Sequence, residues 1–281
     1  MFKAYERSNP QGEFIHDVEY VMGELAYSKS KFADAISYYE KSKSIERYKD
    51  RSFYKMAWSY LELDNPKAAA ETFATLVKDC PESSLNIESM YREGQAWLQA
   101  LDFEKAQQSL SLYVERGKQD PFFGDALCDL GRVYEKQGLV DKALDIYSNY
   151  TTLFPKGEQI SEVSFRIAML NIQSEKYAEA RSFLKSTLSV LSHPLAPEAQ
   201  YREGECFFLE ERYNEAIGAF LKTEKYGFGE EWQAAALFKI AQSHRMLQNT
   251  NRAKEYLERL MSRFPKSEYI SKAMEELRKL N

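Results

Sequence analysis

Apolar and polar residues alternate along this chain with a helical period, most regularly from Leu127 to Gly157, LCDLGRVYEKQGLVDKALDIYSNYTTLFPKG. Leu127, Leu130, Gly131 and Tyr134 share one helical face, and Ala143, Ile146, Tyr147 and Tyr150 share another after a turn at Gln137-Gly138. Two short amphipathic helices cannot hide their apolar faces alone, so the unit must stack on copies of itself. Copies are present: aligned on one small residue of the second helix they give Ala35, Ala69, Ala106, Ala143, Ala180, Ala216 and Ala253, at intervals of 34, 37, 37, 37, 36 and 37 residues.

Twelve residues before each of these lies another small residue: Gly23, Ala57, Gly94, Gly131, Ala168, Gly204 and Ala241. A small residue at both places lets the helices of a hairpin approach closely, and a bulky replacement would overpack by about 1–3 kcal/mol. Three residues before the second small position stand Phe32, Pro66, Phe103, Val140, Tyr177, Tyr213 and Thr250, next to the turn. Four after it stand Tyr39, Phe73, Leu110, Tyr147, Leu184, Phe220 and Leu257, expected to fill space between neighbouring hairpins. Pro81, Pro155 and Pro265, twelve residues after it in three copies, stop the second helix.

This arrangement of small, aromatic and proline positions resembles the tetratricopeptide repeat across nearly the whole chain, with the extra residues of the longer period placed in the links between hairpins. The resemblance implies an all-α, right-handed α-solenoid of seven helix hairpins over residues 15–266, with a C-terminal capping helix over 267–281. Phe2, Tyr5, Pro10 and Gly12 repeat the spacing of Tyr147, Tyr150, Pro155 and Gly157, so residues 1–14 read as the tail of a preceding partial repeat and the chain as part of a longer protein. In the cap, Ala273, Met274, Leu277 and Leu280 are expected inward, and Arg278 occupies the small slot, which is acceptable only where no partner helix crosses. Links such as CPESSLNIES and FPKGEQISEV are similar to those of bacterial cell-envelope repeat proteins, including the outer-membrane-assembly and Tol-Pal-associated families. That likeness favours the periplasm or cell envelope over the cytoplasm.

Composition is globular and helix-favouring, with 14% aromatic residues and only 12 Gly and 8 Pro in 281. A net charge of -5 gives no general attraction to nucleic acid or to anionic lipid. Cys80, Cys128 and Cys206 are too widely spaced for a disulfide framework or a zinc pair. There is neither an apolar run long enough for a membrane span nor a signal-peptide core, so direct membrane insertion by this segment is not expected. In a piece of a longer protein, the missing signal peptide says nothing about location.

Chemistry is not signalled. His16, His193 and His244 pair with no Cys or carboxylate at ligand spacing, and no phosphate loop, dinucleotide fingerprint, hydrolase elbow or cation loop appears, so no metal, cofactor or catalytic residue is expected. Asp17, Glu88, Asp125, Glu162 and Glu198 open first helices, where the macrodipole favours negative charge. Asn149-Tyr150-Thr151 matches a glycosylation acceptor but falls within a helix.

The family resemblance places ligand contacts on the first helices. Three before the small slot these carry Tyr20, Tyr54, Tyr91, Cys128, Phe165, Tyr201 and Phe238, an aromatic ladder broken once. Such a ladder can grip a peptide, or it can pack against the next hairpin. One turn on come Glu24, Trp58, Gln95, Arg132, Met169, Glu205 and Gln242, and three further Tyr27, Leu61, Leu98, Glu135, Ile172, Phe208 and Arg245. Trp58, between Tyr54 and Leu61, marks the leading contact cluster, and Phe165, Met169 and Ile172 a second. Cys128, Arg132, Glu135 and Lys136 form a polar break expected to separate the two. Lys55, Arg92, Arg166, Arg202 and Lys239, just after the ladder residue, are expected to pair with acidic neighbours. The family's chaperone-type carboxylate clamp needs Lys and Asn where Tyr or Phe and Glu, Trp or Gln stand, which excludes an acidic chaperone tail. The expectation is a non-enzymatic scaffold for a protein or peptide partner, with a cytoplasmic regulatory scaffold or an accessory region of a larger enzyme as alternatives.

Overall fold

The computed structural model describes residues 2–8, 12, 14–190 and 192–280; Met1, Pro10 and Asn281, which enter the readings of the two ends, lie outside them. Among the described residues all regular structure is helical. A short α1 (Phe2–Ser8) precedes the hairpins α2/α3 (Ile15–Ser28, Phe32–Ser42), α4/α5 (Glu46–Glu62, Pro66–Asp79) and α6/α7 (Asn86–Gln99, Phe103–Arg116). Then come α8 (Phe123–Lys136), α9 (Val140–Leu153), α10/α11 (Ile160–Gln173, Tyr177–Leu188) and α12/α13 (Ala196–Leu209, Tyr213–Leu221). A single 3₁₀ turn over Lys222–Lys225 leads to α14/α15 (Glu230–Met246, Thr250–Arg263) and α16 (Ile270–Lys279). The chain divides into two units, Met1–Ile146 and Tyr147–Asn281, with the boundary inside α9.

Each second helix begins on the residue that the repeat alignment placed beside the turn, from Phe32 in α3 to Thr250 in α15. Helix α5 shows the local cause: Pro66 takes the first helical position, where its missing N–H costs nothing, and the Asn65 side chain accepts the Ala68 N–H at 3.2 Å. The helices α5, α9 and α15 end two residues before Pro81, Pro155 and Pro265. Every hairpin turn holds one residue in left-handed backbone at the same register: Ser30, Asp64, Leu101, Gly138, Glu175, Glu211 and Gln248.

The reason for the glycine slots is more specific than close backbone approach. A β-carbon on Gly23 would lie 2.6 Å from the Tyr39 ring, one on Gly94 2.6 Å from Leu110, and one on Gly204 2.5 Å from Phe220. Tyr39, Leu110 and Phe220 thus fill the space inside their own hairpin, not the space between hairpins as their position suggested, and all three are fully buried. The ring reaches the slot because both lie at the crossing of the two helices, sixteen residues apart in sequence.

Links are held by a recurring polar residue. Ser83 accepts the Leu85 N–H at 3.1 Å, Asp120 the Phe122 N–H at 3.0 Å and Ser267 the Tyr269 N–H at 3.2 Å. His193 takes the same place, accepting the Leu195 N–H at 3.2 Å, so one of the three histidines serves the link. At the C-terminal end Ala273 is buried but Met274 is 49% exposed, contrary to the inward position expected of it. Helix α16 packs on α15 through the face that carries Ala273, which leaves Met274 and Arg278 exposed among the described residues.

Candidate binding groove

The aromatic ladder is chiefly mortar between hairpins. Tyr20 stacks on Tyr48 with centroids 4.5 Å apart, Tyr91 on Phe122 at 5.3 Å, Tyr201 meets Trp232 at 5.3 Å and Phe238 meets Tyr269 at 5.5 Å. All four partners occupy one register, nine residues before the next small slot (Arg278 holding that slot in the cap), at or just inside the start of the next first helix. Leu85, Phe122, Leu195 and Tyr269 there cap their helices without any side-chain hydrogen bond. A polar cap has been given up for an inter-hairpin contact. Tyr91, Phe165, Tyr201 and Phe238 are accordingly buried, while Tyr20 and Tyr54 remain half-buried. Burial pushes the Tyr91 and Tyr201 phenols well above the usual tyrosine range.

The surface left open lies one turn further on. Trp58 and Leu61 of α4 line a cavity of about 420 Å³ together with Arg92, Gln95 and Leu98 of α6 and Asp129 and Arg132 of α8. Trp58 is braced from behind by edge contacts with Tyr54 and Phe73 at 6.2 and 6.3 Å. The Arg92 guanidinium lies 5.2 Å from the Trp58 ring centre and 4.3 Å from that of Phe122. Its Nε donates to Glu88 at 3.2 Å and one terminal nitrogen to Gln95 at 2.9 Å.

Asp129 is the buried anchor of this wall. It accepts from the Tyr91 hydroxyl and the Gln95 amide, each at 3.2 Å, and from Arg132 at 3.1 Å. Burial pushes its carboxyl above the usual aspartate range, and the Arg132 charge and the two hydrogen bonds partly offset that. These three hydrogen bonds to one buried carboxylate hold Gln95 and Arg132 in place. Arg132 therefore forms a polar wall of the same cavity as Trp58 and does not simply separate two apolar subsites.

The other predicted contacts are placed differently. Phe165 belongs to the core formed with Ala168, Ala180 and Leu184, and Met169 and Ile172 pack against that core half-buried. Phe208 meets Tyr213 edge-on at 5.4 Å and carries Lys239 over its ring at 4.4 Å. The three arginines of the basic stripe pair as expected, Arg92 with Glu88 at 3.2 Å, Arg166 with Glu162 at 2.9 Å and Arg202 with Glu198 at 2.9 Å, and Lys55 reaches Glu24 at 3.9 Å, whereas Lys239 lies over the Phe208 ring. Glu88, Glu162 and Glu198 thus act as i,i+4 partners as well as dipole partners.

Arg92 and Asp129 were not foreseen as groove residues. Asp129 had a sequence signal, because it puts an acid at the register where Lys55, Arg92, Arg166, Arg202 and Lys239 are basic. Among the described residues no group of three or more His, Cys, Asp or Glu could hold a metal ion, and no helix is long and apolar enough to cross a membrane.

Comparison with known proteins agrees with this geometry. Two tetratricopeptide repeat models match, one at residues 51–83 and 235–267 and the other at 91–158 and 165–229, together well over half of the chain. No curated protein matches it. The C-terminal part of a repeat-containing protein from Cytophaga hutchinsonii superposes with a TM-score of 0.71 at 14% identity, over 92% of this chain and 99% of that one. YrrB, described as a tetratricopeptide repeat protein with an unusual peptide-binding site, superposes at 0.54 with 18% identity, over 70% of this chain and 94% of that one. MamA from Desulfovibrio magneticus gives 0.53 at 17% identity, over 63% and 93%. At these identities the likeness is one of fold, and with the repeat models it establishes that the chain belongs to the tetratricopeptide repeat family.

Proposed function

We propose that the chain is a non-enzymatic scaffold that holds a peptide, or an extended segment of a protein, across α4, α6 and α8. The cavity at Trp58 carries this reading: an indole and two leucines lie beside donors whose positions are set by the buried Asp129 network. Small clefts that are mainly apolar, with a few preorganised polar groups, are built for recognition, and stacked hairpins meet their ordering cost on folding and not on binding. The peptide site described for YrrB supports the reading by analogy of fold. Tyr54, Trp58 and Leu61 are the contacts we assign first. Tyr20 contributes an exposed edge, and Met169, Ile172 and Phe208 offer half-buried surface elsewhere. Tyr91, Phe165, Tyr201 and Phe238 support the groove from below. The link segments favour a bacterial envelope assembly, and fractionation of cells carrying the native gene checks this: recovery only with the cytosol would reject it.

A phage-displayed library of linear peptides, selected on the intact chain, tests the main proposal. Selected peptides are expected to lose about tenfold or more in affinity on Trp58→Ala, the cost of removing one large aromatic anchor. Far-ultraviolet circular dichroism should show both proteins equally folded. Enrichment of no peptide, or equal binding by the variant, rejects the assignment.

A further inference from the structure

A second cavity, of about 360 Å³, opens on the same helix as Trp58. It is lined by Tyr20 of α2, by Arg51, Tyr54 and Lys55 of α4, and by Ser84 and Leu85 of the link to α6. The Tyr20 and Tyr54 rings and Leu85 supply apolar surface, while the polar groups come from three separate elements. Arg51, Lys55 and Trp58 follow one another at spacings of four and three residues, so they share one face of α4. A segment lying on Trp58 along that face therefore reaches Lys55 and Arg51 next.

The donors of this cavity are little used within the chain. The exposed Arg51 guanidinium makes no ion pair and no hydrogen bond among the described residues, and neither does the Tyr20 or the Ser84 hydroxyl. Lys55 is held loosely, its Nζ 3.9 Å from Glu24 and 5.1 Å from the centre of the Tyr27 ring. The nearby carboxylates, by contrast, are engaged at short range. Asp50 accepts the Ser83 hydroxyl at 2.6 Å and the Arg51 backbone N–H at 2.7 Å, and Glu24 accepts the Tyr39 hydroxyl at 2.6 Å. Two cations and two hydroxyls thus border one cavity in an otherwise acidic chain.

We propose that this cavity receives a phosphorylated side chain of the same partner segment whose large apolar side chain lies on Trp58. The inference rests on the peptide-scaffold reading above. A phosphoserine or phosphothreonine brings a charge of about −1.5 to −2 and three acceptor oxygens, which matches two cations and two hydroxyls held on three elements; a carboxylate, with one charge and two oxygens, leaves part of that set unused. Arg51 stands seven residues before Trp58, about 10 Å along the helix, which about three residues of an extended segment span. The phosphorylated residue is therefore three positions from the apolar anchor, and the side on which it lies gives the direction in which the segment runs.

Blocked peptides measured by titration calorimetry on the intact chain decide this. The probes are Ac-Gly-X-Ala-Ala-Trp-Leu-Gly-NH₂ and its reverse, Ac-Gly-Leu-Trp-Ala-Ala-X-Gly-NH₂, each with phosphoserine, Ser or Glu at X. In one of the two orders the phosphoserine peptide is expected to bind at least about tenfold more tightly than the Ser peptide, the worth of one or two charge-assisted hydrogen bonds, with the Glu peptide between them. Arg51→Gln should cut that preference at least about threefold and leave the Ser peptide unchanged, and Lys55→Gln should act in the same direction. Trp58→Ala should weaken the phosphoserine and Ser peptides by the same factor. Equal binding of phosphoserine and Ser in both orders, Glu binding as tightly as phosphoserine, or a preference that survives Arg51→Gln and Lys55→Gln together overturns the inference. If library-selected peptides bind at Trp58 while no phosphate preference is found, the scaffold reading stands and this inference falls; if no peptide of either kind binds, both fall.

Discussion

Leu101 sits at φ +60° in the turn between α6 and α7, with 71% of its surface exposed. A branched side chain in left-handed backbone costs about 1–2 kcal/mol, and so exposed a leucine recovers little of that by packing. Leu101→Gly should raise stability by about 1 kcal/mol, read as a higher urea midpoint at unchanged slope. Gly138 fills the same place at φ +72° with nothing near its missing β-carbon, so Gly138→Ala should lose stability through backbone strain alone. Gly204 is a different case, since its difficulty is steric. Gly204→Val forces the Phe220 ring out of the hairpin and should cost at least about 2 kcal/mol, and Phe220→Ala in the same chain should return part of it as a non-additive coupling. The two glycine roles looked unlike in the sequence for a physical reason. The slot glycines recur in register with a bulky residue sixteen positions on, whereas the left-handed turn position is filled by Ser, Asp, Leu, Glu and Gln as well as Gly and leaves no compositional trace.

Among elements, the trade at the first-helix starts decides whether the ladder is read as surface or as mortar. Phe122 caps α8 without a hydrogen bond, yet stacks on Tyr91 and lies under Arg92. Phe122→Ser would restore a polar cap worth about 1 kcal/mol while losing an aromatic pair, a cation–π contact and part of a buried ring, together about 2–3 kcal/mol. The net expectation is a loss of about 1–2 kcal/mol in denaturant unfolding despite the better cap. The sequence displayed the ladder clearly, but its partners lie in the next hairpin across a link of variable length, so no local pattern announced them. The link residues that accept the backbone N–H two positions on are Ser83, Asp120, His193 and Ser267, too varied in type to stand out as one repeated position. Asp129 was legible as an exception in a basic stripe, although its role needed the three donors brought to it from two helices. His244 couples α14 to α15 by stacking on Tyr256 at 5.5 Å, with its Nδ1 buried and unbonded. Burial, and then the Arg252 charge, hold its imidazole below the usual histidine value of 6.5. The folded chain therefore binds this proton less readily than the unfolded chain, so the stability it gains above 6.5 is lost as pH falls below that value. His244→Phe keeps the stack and should flatten the fall in Tm between pH 7.5 and 5.5; an unchanged fall would assign the acid sensitivity elsewhere.

At the scale of the whole molecule, the constant spacing of twelve between small residues made the architecture readable, because it is the same crossing repeated and not a property of any one segment. Within each unit the helices in close contact are neighbours in the chain or have a single α-helix between them, as in α2 with α4 and α12 with α14. Such a fold has no central core on which all elements depend, and its stability is a sum of hairpin terms and interface terms between adjacent hairpins. Damage should then stay local. Ala241 is buried in the small slot of α14 within the same core cluster as Leu257, and Ala241→Asp places a charge in that cluster. Hydrogen exchange of the variant should show amides of α14 and α15 exchanging faster by orders of magnitude, those of α13 and α16 less so, and those of α2 to α7 unchanged. The groove around Trp58 should keep its peptide affinity in that variant, since nothing in its cavity depends on α14. Uniform acceleration throughout the chain, or loss of binding at Trp58, would mean that folding free energy is shared globally and that the nearest-neighbour account of this solenoid is wrong.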